Sequence, residues 1–133
     1  MSDSTVRAAD IKHWQNITFN DTAVMTAWLA AIGVREHAVY RSEDDPDVIV
    51  HGEWIGPGGA GFMGSSAREG AGSPPGQAAA YLVVDDPDDI VERALAAGAT
   101  IMDPVSDKDY GGRGGTVLDP EGNQWSFGTY QPS

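Results

Sequence analysis

The chain has 133 residues, 41% of them hydrophobic, and a formal net charge of −12 with an isoelectric point near 4.3. That is the length of one domain, with enough chain for a proper core and too little for two independent ones. It contains no cysteine, which excludes disulfides, thiolate catalysis and cysteine-based zinc sites, and its acidic surface repels phosphate backbones, which argues against a nucleic-acid partner.

Met1 to Asp10 is polar, without the apolar stretch of a signal peptide, and predicts a frayed tail. No apolar run reaches the length of a bilayer span, so the expectation is a cytoplasmic protein with no membrane partner. Ile17 and Phe19 belong to a first strand that leads into Asp21, a residue able to accept hydrogen bonds from free helix amides. A helix follows over Thr22 to Ile32, with Val24, Trp28 and Ala31 beside Met25, Leu29 and Ile32 as its apolar stripe, and Gly33 as its stop. A strand over roughly Arg35 to Ser42, an acidic loop to Asp47 and a strand carrying His51, Glu53 and Trp54 come next. Pro57 and Gly59 then set a turn before a strand through Phe62 and Met63. The glycines of this turn have no following helix or lysine, so a nucleotide-phosphate loop is rejected.

Ser66 to Gln77 is rich in Gly, Ser, Ala and Pro and reads as a linker. Beyond it the pattern repeats. A strand through Tyr81, Leu82 and Val84 leads to Asp86, a helix over Pro87 to Ala97 and Gly98, and the spacing from Asp86 to Gly98 equals that from Asp21 to Gly33. A strand around Thr100 to Pro104, the loop Tyr110-Gly111-Gly112-Arg113 and a final hairpin complete the unit. In that hairpin Pro120, Gly122 and Trp125 match Pro57, Gly59 and Phe62. The chain therefore reads as one domain: a tail (1–10), a β-α-β-β-β module (11–65), a linker (66–77) and a second such module (78–130).

Two such modules, closed by Asp119-Pro120-Glu121-Gly122-Asn123-Gln124-Trp125, resemble the vicinal-oxygen-chelate superfamily of glyoxalase I, extradiol dioxygenases, fosfomycin-resistance enzymes and bleomycin-resistance proteins. The resemblance covers Trp14 to Tyr130. The Tyr110-Gly111-Gly112-Arg113 loop and the final hairpin look most like the small bacterial glyoxalase/bleomycin-resistance members. It implies an α+β fold with a curved mixed sheet around a cup, a small-molecule ligand and a homodimer that shares its cups.

Strand parity assigns faces. Ile17, Phe19, Leu82 and Val84 pack under the helices, which turns Trp14, Asn16, Thr18 and Tyr81 to the opposite face; by the resemblance that face is the cup. The family's metal-dependent members carry His or Glu at four cup positions. Counted from the capping aspartates and the final turns, these fall on Trp14, Ala79, Met63 and Ser126, none of them a good ligand; a one-residue shift would exchange only Trp14 for His13. The expectation is no metal and no cofactor.

His51 and Glu53 share one strand face, which alignment with Thr116 and Leu118 places in the cup; they read either as an acid–base pair or as a structural pair. His13 and His37 read as surface residues. Trp14, Met63 and Tyr81 with Asn16 and Ser126 make either a pocket lining or the filling of a closed cup. Tyr110 lies in the glycine loop, where Arg113 serves either a ligand anion or a carboxylate of the chain itself. The leading expectation is a metal-free small-molecule-binding protein, with the acidic balance and aromatic lining suiting a cationic antibiotic. The alternative is a lyase, isomerase or dioxygenase-like enzyme with an atypical site, resting on His51 and Glu53.

Overall fold

Each helix begins where an aspartate stands ready for its first free amides. In the computed structural model, which describes residues 6–70 and 73–133, Asp21 accepts a hydrogen bond from the Val24 amide at 3.1 Å and Asp86 one from the Asp89 amide at 3.1 Å. These caps start α1 (Thr22–Ala31) and α2 (Pro87–Ala96), and Gly33 and Gly98, at φ of +83° and +117°, turn the chain out of each. The strands are β1 (Trp14–Phe19), β2 (Arg35–Arg41), β3 (Ile49–Ile55), β4 (Gly61–Ser66), β5 (Ala79–Val83), β6 (Thr100–Asp107), β7 (Arg113–Leu118) and β8 (Gln124–Gly128).

They form two four-stranded mixed sheets of matching order, β1-β4-β3-β2 and β5-β8-β7-β6. In each, the strand before the helix runs parallel to the last strand of its module, and the remaining pairs are antiparallel. The expected α+β class and the doubled β-α-β-β-β order are both present.

One cluster of buried residues runs through both halves. At its centre Trp28 of α1 meets Trp125 of β8 at 5.1 Å between ring centroids, and Trp125 meets Phe62 of β4 at 5.2 Å. The Trp28 indole donates to the Ala94 carbonyl of α2 at 3.1 Å, so its polar edge is satisfied where it is buried. Trp54 is buried as well, edge-on to Phe19. The final turn is organised from inside by Asp119. Its carboxylate accepts from the Glu121 and Asn123 amides, the Asn123 side chain and the Trp125 indole, all within 2.8–3.0 Å.

Some boundaries differ from the sequence expectation. The apolar stripe of α1 is too wide to bury whole: Met25, Trp28 and Leu29 are enclosed, and Val24 is 42% exposed. The sixth strand runs on through Pro104 to Asp107; it is an edge strand with irregular register around Asp103, a place where a missing amide costs no ladder bond. Ser66, the first residue of the expected linker, still belongs to β4, and its hydroxyl accepts from the Ile49 amide. Residues 71–72 of that linker and residues 1–5 of the expected tail lie outside the described residues. The rest of the tail is tied down: Ala8–Asp10 form a 3-10 turn, and Arg35 donates to the Val6 carbonyl.

Candidate functional site

The residues singled out from sequence divide between two hollows, one on each sheet. On the first sheet lie Trp14, Asn16, His51, Glu53 and Met63; on the second lie Tyr81, Arg113 and Ser126, with Tyr110 in the loop before β7.

The first hollow encloses about 370 Å³ and is lined by Asn16, Thr18, Val50, His51, Met63 and Ser65. Asn16, Met63 and Glu53 sit level across β1, β4 and β3. The His51 Nε2 and Glu53 Oε2 atoms are 2.8 Å apart, with the side chains 43% and 24% exposed. With Glu53 ionised and the ring neutral, this bond requires the ring proton on Nε2 and the lone pair on Nδ1. Tyr40, opposite His51 on β2, lies nearly parallel to the imidazole, with centroids 6.2 Å apart. The register sets Glu53 level with Met63 as Thr116 is level with Ser126. The repeat counterpart of Glu53 is therefore Thr116, and that of His51 is Gly114. The face is the one expected from parity, although the alignment of this pair with Thr116 and Leu118 is corrected by two residues.

Trp14 is not among the residues lining this hollow. Its indole lies over Gly61, its partner on β4, and donates to the Ile11 carbonyl at 3.2 Å. A Cβ at position 61 would come within 2.8 Å of that ring, so the missing side chain makes room for it. Half-buried in this way, Trp14 covers one end of the sheet.

The second hollow encloses about 250 Å³ and is walled by Tyr81, Tyr110 and Tyr130. Tyr81 donates its hydroxyl to the Tyr130 carbonyl at 2.9 Å, and Tyr110 meets Tyr130 edge-on at 5.3 Å. Desolvation, with Tyr110 beside it, raises the Tyr81 phenol above its ordinary range. The hydroxyls of Thr116 and Ser126 share a hydrogen bond of 2.8 Å on the floor. Gly114 and Gly128, paired across β7 and β8, leave part of that floor as bare backbone.

The cations at the rim are held by carboxylates of the chain. Arg113 forks onto Asp88 at 2.8 and 3.0 Å and reaches Asp107 at 3.3 Å. These bonds hold the guanidinium above its ordinary value and the Asp88 carboxyl below the usual carboxylate range. Lys108 bonds Asp103 at 2.8 Å, which raises its ammonium. Of the two roles open to Arg113 from sequence, the geometry matches the carboxylate partner.

Sequence reasoning passed over Tyr130, Tyr40 and the Lys108–Asp103 pair. Tyr130 follows the last strand, where parity carries no information, and the other contacts join separate strands. His13 and His37 are exposed.

Among the described residues no group of three or more His, Asp or Glu is placed to hold a metal ion. Trp14, Ala79, Met63 and Ser126, the positions the sequence resemblance picks out for metal ligands, present an indole, a methyl, a thioether and a hydroxyl, and His51 and Glu53 are bonded to each other. This donor set does not fit a divalent cation. Also among the described residues, no helix is long and apolar enough to cross a membrane.

The model of the Glyoxalase/Bleomycin resistance protein/Dioxygenase superfamily matches residues 11–127. Among solved structures, TioX from Micromonospora sp. ML1 is similar at 25% identity and a TM-score of 0.69, covering 91% of this chain and 100% of that one. A glyoxalase/bleomycin resistance protein/dioxygenase family enzyme from Burkholderia phytofirmans PsJN superposes with a TM-score of 0.65 at 20% identity, over 86% of this chain and 94% of that one. A bleomycin resistance determinant encoded on the transposon Tn5 does so with a TM-score of 0.61 at 12% identity, over 92% and 99%. The last two show the fold alone. An uncharacterized protein of Mycobacterium bovis is 46% identical over 48 residues, 36% of this chain and 32% of that one, so the match spans about a third of that curated relative.

Proposed function

Because the chain belongs to the glyoxalase/bleomycin resistance protein/dioxygenase superfamily, we propose that it is a small-molecule-binding protein that takes its ligand, without a metal, into the hollow of the second sheet. The observation that carries this is the gathering of three tyrosines around a paired hydroxyl floor, an arrangement of aromatic walls with a few polar groups. Tyrosine faces attract cations, and a net charge of −12 draws cationic molecules toward the surface. Arg113 and Lys108 are engaged by carboxylates, which removes the obvious anchors for an anion. The ligand class that fits is cationic and partly aromatic, as in a cationic antibiotic. Both hollows are open depressions, and a homodimer in which one copy roofs the other would close them. A cytoplasmic setting accords with the cysteine-free composition.

Titration calorimetry against a panel of cationic aromatic antibiotics tests this. Saturable binding that weakens on Tyr110→Ala is expected, and no binding across the panel contradicts it. A second reading, a metal-free lyase or isomerase, is favoured by one observation, the His51–Glu53 bond. It expects His51→Ala to abolish turnover with thermal stability nearly unchanged.

A further inference from the structure

We propose that the first-sheet hollow is a second ligand site, specific for small molecules bearing a weakly acidic hydroxyl, a phenol or an enol, whose proton passes to Nδ1 of His51. The site is separate from the tyrosine-walled hollow, and it requires no turnover.

Four observations lead there. Glu53 Oε2 lies 2.8 Å from His51 Nε2, so with Glu53 ionised and the ring neutral the proton sits on Nε2 and the other nitrogen is the acceptor; the same carboxylate stabilises the imidazolium once it forms. The pair exists in one half alone, since the equivalent hairpin of the second sheet is built with Gly114 and Thr116. The hollow, at about 370 Å³, has room for one substituted ring, and it combines Val50 and Met63 with the polar groups of Asn16, Thr18 and Ser65. Finally, a net charge of −12 opposes the approach of a preformed anion and leaves a neutral hydroxyl compound unopposed. Such a ligand enters uncharged and ionises inside.

The step balances without a co-reactant. The ligand O–H bond breaks and its electron pair stays on oxygen; the Nδ1 lone pair takes the proton. The new Nδ1–H then donates to the oxyanion, while Nε2–H stays on Glu53. Release reverses the transfer.

The probe is 4-nitrophenol, whose phenolate absorbs in the visible and whose neutral form does not. At a pH where the free dye is mostly neutral, the wild-type protein is expected to generate a saturable phenolate band, with bound dye measured in parallel by equilibrium dialysis. His51→Gln is expected to cut the band at equal bound dye by about tenfold, the equivalent of one pKa unit, and Glu53→Gln to reduce it partly. Tyr110→Ala is expected to leave it unchanged. If His51→Gln does not fold, nitrogen-15 spectra of the wild-type imidazole serve instead: Nδ1 should move from lone-pair to protonated character on adding dye. Dye bound without a band, a band that survives His51→Gln, or no dye bound overturns the proposal. A band lost on Tyr110→Ala also overturns it, by placing the dye in the second hollow, and leaves the proposed function standing.

Discussion

Glu121 accepts a hydrogen bond from the backbone amide of Asn20 at 2.7 Å, across 101 residues of sequence, and its other carboxylate oxygen accepts from the amide of Asp21. The last turn of the second module thus closes on the start of the first module's helix. The repeat counterpart of Glu121 is Gly58, which has no carboxylate to make these bonds. Bonds from backbone amides to a charged acceptor are each worth about 1.5–3 kcal/mol before solvent exposure discounts them. Glu121→Ala is therefore expected to lower stability by about 1–2 kcal/mol, and Glu121→Gln, which keeps one acceptor oxygen, by less. Denaturant unfolding measures both; equal stability of Glu121→Ala and wild type would contradict the clasp.

Asp119 is the heavier loss. It is 4% exposed and accepts four hydrogen bonds, from the Glu121 and Asn123 amides, the Asn123 side chain and the Trp125 indole. Asp119→Ala leaves buried donors without partners and is expected to cost about 3 kcal/mol or more. Trp125→Phe, which deletes one of the four bonds along with some ring volume, separates the indole's contribution. Thermal unfolding of the two variants should rank Asp119→Ala as the more damaging.

The Arg113–Asp88 fork predicts a pH dependence with a definite sign. Arg113 lowers the folded-state pKa of Asp88, so over the window between the folded and unfolded values the unfolded chain binds more protons and stability rises with pH. The contribution is present above the ordinary carboxylate range and lost as pH falls through the lowered value. Asp88→Asn should therefore be less stable than wild type at neutral pH and equal to it in acid. Both partners are exposed, so added salt should shrink the difference. A gap that widens in acid would contradict the pairing.

The donor set of the two hollows predicts a protein purified without stoichiometric nickel, zinc, manganese or iron. Elemental analysis of protein grown in metal-supplemented medium checks this. One equivalent of metal that is lost on His51→Ala would contradict the metal-free reading.

Much of the fold was legible because its signals are local. Asp21 and Asp86 before the helices, Gly33 and Gly98 after them, and the Pro–Gly turns depend on neighbours a few residues away, and their repetition exposed the doubling. The candidate site was legible by face and not by partner. Parity put Asn16, His51, Met63, Tyr81 and Ser126 on the concave side, but it carries no information about which of two sheets a strand joins. Residues expected around one cup therefore divide between two hollows. Trp14 left the lining because Gly61 beside it has no side chain, a relation set by strand pairing. Arg113 meets Asp88 because the helix that carries Asp88 packs beside β7, a contact between segments 25 residues apart.

The most direct test follows backbone amide shifts during titration with a cationic aromatic antibiotic that binds by calorimetry. Saturable shifts centred on Tyr110, Gly114, Thr116, Ser126 and Gly128 are predicted, weakened several-fold by Tyr110→Ala, a change at a 65% exposed residue that is expected to leave thermal unfolding nearly unchanged. Saturable binding that shifts none of these amides, or that Tyr110→Ala leaves unchanged, would contradict a ligand in the hollow of the second sheet.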